Sequence, residues 1–308
     1  MRHITTFAGL PVMQFGPGVV DKLDAEGTPR SAVAWRIETD YEDGEDVFRE
    51  ILDRCLDVVG GESVHALVIG QWGEAYDTAA PLHLLAAARA RLPHLRALFL
   101  GEMTGEECEI SWITHSDVAP LLAAFPGLEV LRIRGATGLG LSPVRHMRLR
   151  ELAVESGGLP TGFLRGVLDS HLPALTDLEL WLGVSEYGGD ITADDLAPVF
   201  SGAGLPRLRR LALRNAEIAD QIASALAGAP VVPRLEELDL SLGILSDRGA
   251  EALLLGQPLT HLRRLDLSHH FISAELADRL RAELPGVDVD LSDEQEEDEG
   301  ERYTAVSE

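Results

Sequence analysis

Three of the four tryptophans (Trp72, Trp112, Trp181) and three of the four tyrosines (Tyr41, Tyr76, Tyr187) lie in four short segments. These segments, residues 38–46, 70–77, 101–117 and 181–195, together hold seventeen Asp and Glu and no Lys or Arg. Large rings with few rotatable bonds supply contact area at low entropic cost, and carboxylates around them favour cations. Such segments suit the binding of a protein or peptide with basic and apolar groups. A plainer reading is that the rings anchor long loops to the elements beneath them.

Other chemistry is less well supported by the residues. Asp40, Glu42, Asp43, Glu45 and Asp46 are dense enough for calcium, but Gly44 falls too early for an EF-hand loop. Cys108 stands among Glu106, Glu107 and Glu109, whose like charge opposes a thiolate, and Cys55 belongs to the apolar stripe of a helix. The adjacent His269 and His270 have only Asp266 near metal-ligand spacing, which favours a role in a turn. Gly135, Gly138 and Gly140 lack dinucleotide spacing, and there is no Gly-x-Ser-x-Gly, no phosphate-binding Gly-Lys loop and no His-Glu-x-x-His. With no nucleophile beside a base, no catalytic residue, metal ligand or cofactor is assigned.

Composition narrows the partners. Against 26 Lys and Arg stand 51 Asp and Glu, a formal charge of −25, which repels both nucleic acid and anionic membrane surfaces. The 308 residues are 45% apolar but only 5% aromatic, so a core must be aliphatic. Two cysteines are too few for a disulfide framework, and no apolar run reaches spanning length. A cytosolic (cytoplasmic) monomer is the expectation.

The elements that would carry these loops are repeats. The pattern apolar-x-x-apolar-x-apolar recurs nine times, with central residues Trp35, Leu67, Leu98, Leu131, Leu152, Leu178, Leu211, Leu238 and Leu265 separated by 21 to 33 residues. A tenth, degenerate copy lies at Val287, Val289 and Leu291. Helix-period segments fill the intervals at 45–59, 78–92, 117–125, 162–172, 193–200, 219–226, 247–255 and 274–284, whereas the glycine-rich stretch 135–148 is too short for a helix. A repeat of this kind is a solenoid, in which each unit buries its apolar face only by stacking on its neighbours.

The segments Leu235 to Leu253 and Leu262 to Ser273 resemble leucine-rich repeats of the ribonuclease-inhibitor type. That resemblance implies an α/β fold: a right-handed leucine-rich-repeat solenoid, or horseshoe, with a parallel concave sheet and convex helices. Where that type carries Asn or Cys, this chain has Ala216, Gly243 and His270, so a regular side-chain ladder is not expected there. Phe7-Ala8-Gly9-Leu10-Pro11 and the acidic end 284–308 are also similar to those of an actinobacterial leucine-rich-repeat group. Its members are encoded beside radical-SAM proteins and a predicted hydrolase. This second resemblance implies an alternative role, an accessory subunit or enzyme that presents a peptide or metabolite to a modifying radical-SAM-type partner.

The expected organisation is an N-terminal cap over 1–30, a solenoid over 31–291 and an acidic tail over 292–308. The tail should be mobile across 293–301 unless Tyr303 or Val306 docks on the solenoid. Strand alternation turns Val68, Phe99 and Val130 to the concave face as an apolar patch, and gives the later strands mixed charge. Repeat geometry puts the loops after the strands on one edge. The expected binding residues are therefore Trp72, Tyr76, Trp112, Trp181 and Tyr187 on that rim, with Val68, Phe99 and Val130 beside it.

Overall fold

The computed structural model describes residues 2–307. Twelve strands form one sheet in sequence order: β1 (Thr6–Phe7), β2 (Leu10–Gln14), β3 (Ala34–Ile37), β4 (Ala66–Ile69), β5 (Ala97–Leu100), β6 (Val130–Arg134), β7 (Glu151–Glu155), β8 (Asp177–Gly183), β9 (Arg210–Ala216), β10 (Glu237–Asp239), β11 (Arg264–Asp266) and β12 (Asp288–Asp290). All neighbours pair in parallel except β1 and β2. The helices are α1 (Val19–Glu26), α2 (Glu45–Val59), α3 (Leu82–Ala87), α4 (Ala119–Ala124), α5 (Thr161–Asp169), α6 (Ala197–Ser201), α7 (Ala219–Leu226), α8 (Asp247–Leu255) and α9 (Ala274–Glu283). The chain is an α/β leucine-rich-repeat solenoid.

Register follows the apolar repeat. Trp35 pairs with Leu67 and Leu67 with Leu98, and the same rung continues through Leu131, Leu152, Leu178, Leu211, Leu238, Leu265 and Val289. A slip by one residue in any strand would turn this whole row away from the helices, which is why the register is fixed. Leu238 and Leu265 are fully buried. On the helical side, α2 buries Phe48, Leu52, Cys55, Leu56 and Val59, one face of a 3.6-residue period. Between β6 and β7 no helix forms. There Thr137 and Gly140 bridge in parallel to Thr114 and Asp117, and the buried His146 donates from Nε2 to the Phe125 carbonyl.

The concave apolar patch expected from the strand pattern exists but is not open. Ala34, Ala66, Val68, Ala97 and Phe99 are buried under the N-terminal residues, with Phe7 packed on Phe99 at 5.7 Å between ring centres and Ile4, Leu10, Val12 and the half-buried Val130 around them. Wholly buried Glu102 anchors this cover. It accepts from the Ile4 amide at 2.9 Å and from Arg36 Nε at 2.8 Å, with His3 Nδ1 at 3.1 Å. Val68 and Phe99 therefore belong to a second, smaller core rather than to a binding surface.

Candidate binding surface

Each strand of the solenoid delivers a loop to the same edge, and backbone hydrogen bonds stitch these loops together. Thr39 donates to Gln71, Glu102 to Ile69, Thr114 to Ala75 and His115 to Thr137, each at 2.7 to 2.9 Å. Gly73 is required where two loops touch: its φ is +91°, and a Cβ there would stand 2.2 Å from the Asp43 carbonyl oxygen. The rim is thus a built surface, not a row of independent loops.

Its aromatic residues divide into two sets. Trp112 is 55% exposed and Tyr76 45%. Tyr76 stacks on exposed Tyr41 at 6.2 Å with the two hydroxyls 3.2 Å apart, a bond that raises the Tyr76 pKa to about 12. The Thr114 hydroxyl donates to the Tyr76 carbonyl at 2.8 Å, which joins the loop of Trp112 to that of Tyr76. Tyr187 is half-buried farther along the edge.

Trp72 and Trp181, expected on the rim, are instead interior. Trp72 is 3% exposed, donates from Nε1 to the Thr78 carbonyl at 2.8 Å and packs on buried His115. Trp181 is 7% exposed, bonded to Glu179 Oε1 at 2.9 Å and covered by the Arg214 guanidinium. In both, the indole N–H finds an internal acceptor, so the ring can be buried without an unpaired donor. His115 is held neutral by the same burial, its pKa lowered to about 4, with Nε2–H donated to the Arg134 carbonyl at 2.8 Å.

Eleven of the seventeen rim carboxylates are exposed, among them Asp40, Glu42, Glu74, Asp77, Glu106 and Glu109. Others are committed inside the fold: Glu102 and Glu38 to Arg36, and Asp117 to the amides of Ala119 and Ser142. The six exposed carboxylates named lie on the three loops that carry Tyr41, Tyr76 and Trp112. Among the described residues, no group of three or more His, Cys, Asp and Glu is placed to hold a metal ion. Burial raises the Cys55 pKa to about 12 and, with Glu109, that of Cys108 to about 11.

The open concave half is a closed ionic network. Arg132, Arg210 and Arg214 converge on Glu179 at 3.6, 2.9 and 3.1 Å, and the same three cations reach Glu155, Glu237 and Asp239. Burial opposes ionisation of Glu179, but the three guanidiniums outweigh it and hold the pKa at about 2. Charges satisfied by one another offer little to a ligand.

Of the two outcomes left open for the tail, docking is the one found: residues 302–307 run back along the rim. Arg302 stands over Phe271, Tyr303 packs on Phe271 and His269, and buried Asn215 bonds the backbone of Val306. Even the acidic stretch before them is shaped, with a bridge from His270 to Glu294 and a turn closed between Asp298 and Glu301. The signal available in the sequence was the return of Arg302, Tyr303 and Val306 after an unbroken acidic run.

A family model described as a leucine-rich repeat matches residues 234–254. Among solved structures, a Bacteroides fragilis protein determined by a structural genomics consortium is 30% identical, with a TM-score of 0.78, over 87% of this chain and 76% of that one. An internalin of Listeria monocytogenes is 16% identical, with a TM-score of 0.42, over 86% of this chain and 69% of its own. The TLR13 of a complex with single-stranded RNA is 14% identical, with a TM-score of 0.39, over 92% of this chain and 38% of its own. No curated protein matches the chain.

Proposed function

Because this chain belongs to the leucine-rich-repeat proteins, in one family with the Bacteroides fragilis protein, we propose that it is a protein- or peptide-binding scaffold acting through its acidic aromatic rim. The observation that carries this reading is the cluster of Tyr41, Tyr76 and Trp112, exposed together on loops without a single Lys or Arg. Burying such rings in water-excluding contact is a common source of interface energy, and the carboxylates around them select a partner with cations at its margin. The N-terminal cover and the internally paired concave charges direct attention to the edge of the sheet.

The test is capture by the immobilised protein from extracts of its own cells, comparing wild type with the Tyr76→Ala, Trp112→Ala double variant and with Leu255→Ala, an exposed residue of α8. Binding at low salt that the double variant loses, that Leu255→Ala keeps and that added salt weakens supports the rim, because screening shortens to about 8 Å at physiological ionic strength. Unchanged capture by the double variant, with its fold intact, refutes it.

A further inference from the structure

Six described residues with side chains occupy the left-handed backbone region, and four of them repeat at one register position. Asn215 (φ +52°), Leu242 (+65°), His269 (+56°) and Asp293 (+62°) each follow the rung residue of their strand by four positions. For a branched residue such as Leu242 this conformation is strained, and strain kept at corresponding places in neighbouring repeats points to a use.

Three of these residues hold the returning C-terminal segment. His269 Nε2 lies 3.2 Å from the Tyr303 carbonyl, and the Leu242 carbonyl accepts from the Ala305 amide at 2.9 Å. The Asn215 side chain clasps Val306 on both sides, accepting from its N–H at 3.0 Å and donating to its C=O at 2.5 Å. Ser111 donates to the Ser307 carbonyl at 2.7 Å. Gly157 makes room, since a Cβ there would stand 2.4 Å from that same oxygen. Most of these bonds address main-chain atoms, so the groove recognises an extended backbone more than a particular sequence. Side-chain preference is confined to a few places: an aromatic ring against Phe271 and His269, a small polar side chain at buried Thr304, and a cation at Arg302 near Asp220.

Leu213, Leu240 and Leu267 beneath the groove are buried in the main core, a cluster to which no residue of 302–307 belongs. The tether leading to it, residues 293–301, carries seven acids and no base along an edge that is itself acidic. Resting on the reading of the rim as a binding edge, we infer that the column from His269 through Leu242 and Asn215 to Ser111 is a peptide-binding groove, and that residues 302–307 are its occupant in cis. Its ligand in trans is an extended segment of a partner protein with the same chemistry: a cation, an aromatic residue and a small polar residue in that order. A longer peptide running in the same direction would pass Ser111 and reach exposed Trp112. The C-terminal segment then acts as a competitor that the partner must displace.

Full-length variants test this. Val306→Pro removes the N–H that Asn215 accepts and leaves the groove intact. Asn215→Asp keeps the side-chain size and tolerates the left-handed backbone, but sets an acceptor against the peptide carbonyl. The probe is a fluorescein-labelled synthetic peptide of residues 302–308 read by anisotropy, with hydrogen exchange of residues 303–307 reporting release of the segment. A short tether gives an effective concentration in the millimolar range, so a peptide with a Kd of about 10 μM for the open groove should bind wild type on the order of 100-fold more weakly than Val306→Pro. Asn215→Asp should release the segment yet fail to bind the probe. Fast exchange in Val306→Pro without probe binding would show the segment to be only a structural staple. Equal binding to wild type and Val306→Pro would place the probe elsewhere, and slow exchange in Val306→Pro would show that the Asn215 clasp does not hold the segment; each overturns the inference. None of these failures touches the rim reading, whose own test rests on Tyr76 and Trp112 outside the groove.

Discussion

Replacing Glu179 by Gln keeps the side-chain shape and the bond from Trp181, but removes the charge on which Arg132, Arg210 and Arg214 converge at 3.6, 2.9 and 3.1 Å. Glu179 is 2% exposed, and in the folded chain its pKa is about 2 against the ordinary 4.5. A gap of that size corresponds to about 3 kcal/mol of stability at neutral pH. The cost of cutting one partner from a buried ion pair gives a similar figure, roughly 3–5 kcal/mol. The lower end applies, because Arg132 keeps Glu151 and Glu155 while Arg210 and Arg214 keep Asp239. The sign is fixed by the depressed pKa: the contribution is complete above about pH 4.5 and is lost as the pH falls towards 2. Urea unfolding of wild type and Glu179→Gln should therefore differ by about 3 kcal/mol at pH 7 and by less than half of that at pH 3. A variant within roughly 0.5 kcal/mol of wild type at pH 7, or a difference that does not narrow in acid, would refute the idea that this network holds the middle strands together.

Leu238→Ala and Leu265→Ala should each cost roughly 2–5 kcal/mol in denaturant unfolding, because both side chains are fully buried in the central rung. Trp72→Ala should destabilise by roughly 3–5 kcal/mol while Trp112→Ala stays within roughly 0.5 kcal/mol, a contrast that thermal melts would show directly. His115, with its pKa lowered to about 4, should remain neutral in NMR titrations down to that value; since the unfolded chain takes up this proton first, stability should fall as the pH drops from 6.5 towards 4. Both cysteines should react slowly with a thiol reagent at pH 8, half-buried Cys108 before buried Cys55 as the pH is raised.

Much of the architecture is local and periodic, and so is written in the order of residues. One apolar rung per repeat, from Trp35 to Val289, sets strand, register and the side that the helices cover, because a parallel strand has only two faces and only one carries the unbroken row. The glycines of 135–148 likewise announce the interval between parallel strands, β6 to β7, in which no helix forms. The loops at the strand ends had to share an edge once the repeat was recognised, and the exposure of Tyr76 and Trp112 agrees with their composition.

What closes over a surface is a different kind of question, since it depends on segments far apart in the chain. Strand alternation turned Val68 and Phe99 to the concave side, but only the tertiary fold brought Ile4 and Phe7 across the sheet to cover them, with Glu102 as the anchor ninety-eight residues away from Ile4. The three rim tryptophans are alike in sequence context; two were buried because the Thr78 carbonyl and Glu179 stood where their N–H groups could be satisfied, and Trp112 was left outside. The tail was decided in the same way. Its acidic composition speaks for mobility, yet three left-handed turns, spaced one repeat apart, align a carbonyl, an imidazole and an amide with the backbone of residues 303–306. A one-dimensional pattern records which residues must leave water, whereas the partner that removes them from it is chosen by distances the chain acquires only on folding.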